Sequence, residues 1–99
     1  MTIRVDPQEN EIWALRQSVA DWRNKRVLEI GCGDGRLTVR LARLGANVLA
    51  IDPSTESIRL ARSKRPARFA NRIHYSVRKA ENLKSRAGSF DIVVFAWSL

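Results

Sequence analysis

Three glycines at alternate positions, Gly31, Gly33 and Gly35, follow a short apolar run and precede an amphipathic segment. A side chain at these positions would hold a ligand away from the backbone, and glycine also permits the positive φ angles of a tight turn. The helix expected after the loop begins with unpaired N–H groups and a partial positive charge. The pattern therefore predicts a strand, a loop and a helix start that together receive a polar or anionic part of a small ligand.

The spacing of the glycines separates this loop from two nucleotide-binding motifs. A dinucleotide-binding loop has the pattern GxGxxG, but here the third glycine comes one residue early and Arg36 stands in its place. A P-loop requires a lysine and a serine or threonine that do not follow this loop. Asp52 stands 21 positions after Gly31, at the end of the next predicted strand. An acid at this point is typical of sites that bind ribose hydroxyls.

Four segments in this order resemble the class I S-adenosylmethionine-dependent methyltransferases. They are the E-x-G-x-G-x-G run that begins at Glu29 and the segments 51–54, 79–83 and 89–93. The resemblance covers about residues 26 to 99. It implies an α/β, Rossmann-like fold with a parallel sheet of strand order 3-2-1-4 and flanking helices. It also implies S-adenosylmethionine as the cofactor, bound over the carboxyl ends of strands 1 and 2, and methyl transfer to an acceptor that the sequence does not identify.

The resemblance assigns a set of residues to the cofactor. They are Glu29, Gly31, Cys32, Gly33, Gly35, Asp52, Pro53, Ala80, Glu81, Phe95 and Ala96. Asp52 would accept hydrogen bonds from the ribose, and Glu29 would support the loop beneath the methionine portion. Where the family commonly has an aspartate for the adenine, this chain has Lys79, which cannot accept a hydrogen bond. Either Glu81 substitutes or the contact is lost, and the sequence nominates neither a catalytic base nor a metal site.

The hydrophobic pattern predicts the elements that position these residues. Asp6 and Pro7 begin a helix that runs to about Trp22, so residues 1–25 form an N-terminal helix before a cofactor-binding half domain at 26–99. Strands are expected at 26–30, 47–51, 73–77 and 90–95, helices at 36–44 and from Ser54 to before Pro66, and a short helical turn at 81–86. Such alternation requires parallel strands with right-handed crossovers.

The composition adds expectations about charge and compartment. The net charge is +8, and residues 59–86 hold 10 of the 18 basic residues with Glu81 as their only acid. Such a segment attracts polyanions such as nucleic acids, or it is a solvated face. Cys32 is the single cysteine, which excludes an intramolecular disulfide and is best interpreted as a small loop residue. With no signal peptide or membrane-length apolar run, the expected location is the cytoplasm, without membrane insertion.

The fourth predicted strand raises a question of assembly. It is apolar throughout and carries no lysine, proline or glycine, so as a sheet edge it would invite pairing with a second copy or a partner chain. Three functions remain open at this stage. The first is a methyltransferase, whose activity as this chain alone is undecided because it carries little beyond the cofactor half. The second is a non-catalytic cofactor-binding or assembly module completed by a partner, and the third is a Rossmann-type dinucleotide binder.

Overall fold

The computed structural model describes residues 2–5, 21–80 and 88–96. These ranges contain five strands: β1 (Thr2–Val5), β2 (Arg26–Ile30), β3 (Asn47–Asp52), β4 (Ile73–Val77) and β5 (Ile92–Ala96). They also contain the helices α1 (Arg36–Arg43) and α2 (Thr55–Lys64) and a 3-10 turn at Ala67–Phe69. The predicted helix that begins at Asp6 and the predicted turn at 81–86 lie outside the described residues, except that residues 21–25 at the helix's predicted end form no helix.

The strands form one parallel sheet in the order β1-β5-β2-β3-β4. The predicted order 3-2-1-4 is thus confirmed for the four strands that the sequence analysis identified. Leu28 of β2 pairs with Leu49 on one side and Val93 on the other, which places β2 in the middle of the sheet. The carboxyl ends of β2, β3 and β5 therefore meet at one edge, where the glycine loop begins.

A fifth strand corrects the prediction for the sheet edge. Thr2–Val5 pairs with β5 in parallel, so that Ile3 lies opposite Val94. Because β5 also pairs with β2, its backbone is hydrogen-bonded on both sides and it is an interior strand. The expectation that a second copy or a partner chain pairs with this strand is therefore wrong. The expectation failed because the short segment Thr2–Val5 was not recognised as a strand from the sequence.

Asp91 fixes the beginning of β5 against the beginning of β2. Its carboxylate accepts a hydrogen bond from the Arg26 backbone N–H at 2.8 Å, and its own N–H donates to the Arg26 carbonyl, also at 2.8 Å. These contacts, the backbone one foremost, hold the pKa of Asp91 below its usual value. The strand consequently begins at Ile92, two residues later than the predicted start at Phe90.

The helices cover the sheet with the faces that the sequence predicts. Leu37 and Leu41 of α1 and Ile58 and Ala61 of α2 are buried in the main core. The Ser54 hydroxyl accepts from the Ser57 N–H at 3.1 Å and caps α2, as expected for a serine at this position. In the part of the chain described here, neither helix has the length and apolar character that a membrane span requires.

Candidate cofactor site

The glycine loop is fastened to the end of β3 by its backbone. The N–H groups of Gly31 and Cys32 both donate to the Ile51 carbonyl, at 2.9 and 3.1 Å. Gly31, Gly33 and Gly35 all have positive φ angles, of 82°, 56° and 86°, which residues with side chains rarely adopt. The predicted strand, loop and helix start are therefore confirmed as local structure.

Two of the three glycines make room for the protein itself. A Cβ atom at Gly31 would lie 2.7 Å from the Ala96 carbonyl oxygen at the end of β5. A Cβ atom at Gly35 would overlap the Tyr75 hydroxyl and lie 3.2 Å from the Ala61 Cβ. The glycines were predicted for close approach of a ligand, and the structure adds a requirement for close approach of neighbouring strands and helices.

Asp52 joins the loop to the carboxyl end of β3. One carboxylate oxygen accepts from the Gly33 N–H at 3.0 Å, and the other accepts from the Ser54 N–H at 2.9 Å. The residue is 7% exposed. A carboxylate offers about four lone-pair sites, so about two remain for hydroxyl donors of a ligand. The acid thus holds the loop in shape, and its role as a ribose acceptor stays a prediction.

Glu29 is fully buried beneath the loop, and the donor that its carboxylate needs comes from α1. The Thr38 hydroxyl, which is also buried, donates to Glu29 Oε1 at 2.5 Å. A buried carboxylate without such donors would be costly. Sequence reasoning predicted that Glu29 finds donors but did not find Thr38. The available signal was a polar residue on the inward face of the helix, which is otherwise apolar on that face.

Tyr75 of β4 completes this buried polar group. Its side chain lies under Gly35 and is 5% exposed, and its hydroxyl makes no well-formed hydrogen bond among the described residues. Burial raises the pKa of Tyr75 to about 12, and the charge of Glu29 adds to this, while the nearby Thr38 hydroxyl opposes it. Tyr75 therefore remains neutral at physiological pH. Sequence reasoning identified it only as a residue of the third predicted strand.

Cys32 has no sign of an activated thiol. The residue is 6% exposed, and burial, with smaller contributions from Glu29 and Asp52, raises the pKa of its thiol far above the usual range. The thiolate is the reactive form, so this cysteine is unreactive at neutral pH. Its position in the loop fits the interpretation as a small residue beside the site.

A cleft of about 440 Å³ opens at the carboxyl ends of β2 and β3. Its walls come from the loop, the turn after β3 and the segment after β4, namely Ile30, Gly31, Ile51, Pro53, Arg78, Lys79 and Ala80. The predicted site residues Gly31, Pro53 and Ala80, from three parts of the chain, are thus brought together. Phe95 and Ala96 end the neighbouring strand β5, and Glu81 lies outside the described residues. Sequence reasoning did not predict Ile30, Ile51 or Arg78 as lining residues.

Three arginines of the basic segment donate to backbone carbonyls, and two of these carbonyls belong to β4. Arg62 donates to the Tyr75 carbonyl at 2.8 Å and Arg65 to the Ile73 carbonyl at 3.0 Å. Arg72 likewise donates to the Gly45 carbonyl at 2.8 Å. Since β4 ends the sheet, the first two contacts satisfy carbonyls on its open edge.

Within the described ranges, no group of three or more His, Cys, Asp or Glu side chains could hold a metal ion.

Comparison with curated proteins reveals close relatives. Ubiquinone biosynthesis O-methyltransferase of Xanthomonas axonopodis pv. citri is 44% identical over 69 residues, which cover 69% of this chain and 28% of the relative. The enzyme of the same name from Ralstonia nicotianae is 41% identical over 78 residues, which cover 78% of this chain and 32% of the relative. This chain thus spans roughly a third of the length of the curated relatives it matches.

Solved structures share the fold. An S-adenosylmethionine-dependent methyltransferase from Mesorhizobium loti superimposes with a TM-score of 0.75 at 26% identity, over 92% of this chain and 41% of that structure. A magnesium protoporphyrin IX methyltransferase from Synechocystis, solved with bound S-adenosylmethionine, gives a TM-score of 0.70 at 26% identity, over 85% and 40%. A family model described as a methyltransferase domain matches residues 27–99. The chain therefore belongs to the S-adenosylmethionine-dependent methyltransferase family.

Proposed function

We propose that this chain binds S-adenosylmethionine in the cleft at the carboxyl ends of β2 and β3. The observation that carries the proposal is the convergence of Gly31, Pro53 and Ala80 on one cleft of about 440 Å³. This volume is within the range of about 300–1,000 Å³ typical of small-molecule sites. In open parallel sheets, ligands bind outside the carboxyl ends of the strands, beside the point where the strand order reverses. Here the order reverses between β2 and β5, and the cleft adjoins that point at the end of β2.

The residues that line the cleft, together with the neighbouring Asp52, fit the parts of the cofactor. Asp52 has lone pairs left for the two ribose hydroxyls, and the apolar side chains of Ile51 and Pro53 suit the adenine ring. The loop backbone at Gly31 and Gly33 suits the methionine portion. Lys79 lines the cleft where related enzymes commonly have an aspartate, so its side chain cannot accept a hydrogen bond from the adenine amino group.

We infer that the transferred methyl goes to a hydroxyl oxygen. Bound S-adenosylmethionine supplies a methyl group already activated by its sulfonium, so the chain has chiefly to bind and orient it. The support for oxygen is the O-methyltransferase name shared by the curated relatives. The names of the relatives point to different acceptors. One name refers to ubiquinone biosynthesis and the other to magnesium protoporphyrin IX. The shared segment therefore favours a common role in cofactor binding and leaves the particular acceptor open.

A calorimetric titration tests the binding proposal. We expect S-adenosylmethionine and S-adenosylhomocysteine to bind and NAD not to bind, because the glycine spacing does not fit the dinucleotide motif. Binding of NAD alone would support a Rossmann-type dinucleotide binder and contradict the proposal. Transfer of radiolabelled methyl to hydroxyl-bearing acceptors then separates an enzyme from a non-catalytic cofactor-binding module.

Two further expectations are tested separately. Nucleic-acid binding by the basic segment is a weaker candidate because Arg62, Arg65 and Arg72 are engaged with backbone carbonyls. If it occurs, affinity for a generic RNA falls steeply with salt. A cytoplasmic location also stays a prediction, and cell fractionation tests it.

A further inference from the structure

The helix start at Gly35 is supported from below by two elements that are distant in sequence. The Tyr75 hydroxyl of β4 and the ring carbon that carries it lie beneath Gly35, and the Ala61 Cβ of α2 approaches the same point. Lys64, at the end of α2, lies 3.5 Å from the carboxylate of Asp34 in the loop. The loop thus has cofactor-facing backbone on one side and the β4–α2 pair on the other.

Arg62 fixes the residue that makes this support. Its guanidinium donates to the Tyr75 carbonyl at 2.8 Å, on the open edge of β4. Arg65 makes the same kind of bond to Ile73, two residues earlier on the same strand, at 3.0 Å. Ile73 is buried in the core, and the atoms nearest to Gly35 belong to Tyr75 and Ala61 instead. The two arginines are therefore chemically alike but differ in what they hold.

We propose that Tyr75 and Arg62 are positioning residues for the cofactor, with the Tyr75 side chain setting the place of the loop at Gly35 and Arg62 holding Tyr75. This inference rests on the proposed binding of S-adenosylmethionine. Neither side chain lines the cleft, so both act through the loop. Small displacements of positioning groups have large effects on bound geometry, which is why a residue behind the loop matters for binding.

Tyr75→Leu and Tyr75→Phe test the role of the ring. Leucine removes the ring and should weaken S-adenosylmethionine binding by about three- to tenfold, a change comparable to the net loss of one hydrogen bond. Phenylalanine keeps the ring but removes the hydroxyl oxygen, the atom nearest Gly35, so it should weaken binding less than leucine does. Ile73→Ala, on the same strand, controls for loss of core packing and should leave the affinity unchanged at a temperature where all variants are folded.

Arg62→Ala and Arg65→Ala form a matched pair for the second half of the proposal. Both remove one guanidinium bond from the open edge of β4, but only Arg62→Ala should weaken cofactor binding, by about threefold. Equal affinities for the two variants would overturn the role of Arg62. Equal affinities for Tyr75→Leu and the unmodified chain would overturn the role of Tyr75.

Amide hydrogen exchange gives a readout that needs no cofactor. The Gly35 N–H donates to the Cys32 carbonyl at 3.0 Å, so its exchange reports on the shape of the loop. We expect faster exchange at Gly35 in Tyr75→Leu and in Arg62→Ala but not in Arg65→Ala. Unchanged exchange in all three would contradict the support of the loop. Failure of the unmodified chain to bind S-adenosylmethionine would instead contradict the proposed function.

Discussion

Asp52 and Gly33 are joined by a hydrogen bond of 3.0 Å from the Gly33 N–H to a carboxylate oxygen of Asp52. The same carboxylate accepts from the Ser54 N–H. One side chain therefore shapes the glycine loop and begins the turn into α2, and we propose that its remaining lone pairs bind the ligand. Removing it should affect both the loop and the ligand.

The substitution Asp52→Ala should weaken S-adenosylmethionine binding at least about tenfold, which corresponds to about 1.4 kcal/mol. It should also lower the free energy of unfolding by about 1–3 kcal/mol, because two backbone donors lose a charged acceptor. Calorimetry and urea denaturation measure the two effects. Glu56→Ala, which removes an exposed carboxylate paired with Arg59 on α2, is the control and should change neither. Unchanged affinity in Asp52→Ala would remove this residue from the site.

Gly35→Ala should lower the free energy of unfolding by about 2 kcal/mol or more. A φ of 86° costs an alanine about 1–2 kcal/mol, and the added Cβ meets Tyr75. In a Tyr75→Leu background the second cost should disappear, so a double-mutant cycle should give a coupling energy of about 1 kcal/mol. Gly45→Ala is the matched control, since Gly45 also has a positive φ, of 99°, but faces Arg23. Its effect should add to that of Tyr75→Leu, and additivity for Gly35→Ala as well would contradict the contact.

The raised pKa of Tyr75 predicts a loss of stability at alkaline pH. Its pKa is raised from 10.0 to about 12 in the folded chain, so between these values the unfolded chain loses the proton while the folded chain keeps it. Below pH 10, Tyr75 keeps its proton in both states, so its ionisation does not lower the free energy of unfolding. As the pH rises from 10 towards 12, the free energy of unfolding should fall. Tyr75 is the only tyrosine, so tyrosinate absorbance reports its ionisation directly. Denaturation of Tyr75→Phe gives the comparison, and an equally steep alkaline loss in that variant would refute the assignment.

The sequence predicted those parts of the fold that depend on local patterns. The apolar run of β2, the serine cap at Ser54 and the glycine after α1 each lie where the pattern placed them. The strand β1 was not predicted because its four residues carry little local signal. Its place in the sheet depends on pairing between Thr2 and Val93, which are distant in sequence. The alternation Thr2-Ile3-Arg4-Val5 was the available clue.

The candidate site divides in the same way. Asp52, Pro53 and the three glycines could be predicted as site residues because residue type and spacing within a short segment carry the motif. The roles of Tyr75 and Thr38 could not, because each depends on which side chain the folded chain brings under the loop. The bond from Gly33 to Asp52 could not be predicted either, since it joins the loop after β2 to the end of β3, on the far side of α1 in the sequence.

The most direct test of the central claim maps S-adenosylmethionine onto the folded chain by amide chemical shifts. On titration, the amide resonances of Gly31, Gly33, Ser54 and Ala80 should shift together and saturate at one dissociation constant, because these residues line or adjoin the cleft. The amides of Arg40 and Ala42, in the second half of α1, should stay in place. Saturable shifts that avoid the loop and the cleft, or no shifts at all, would contradict the account.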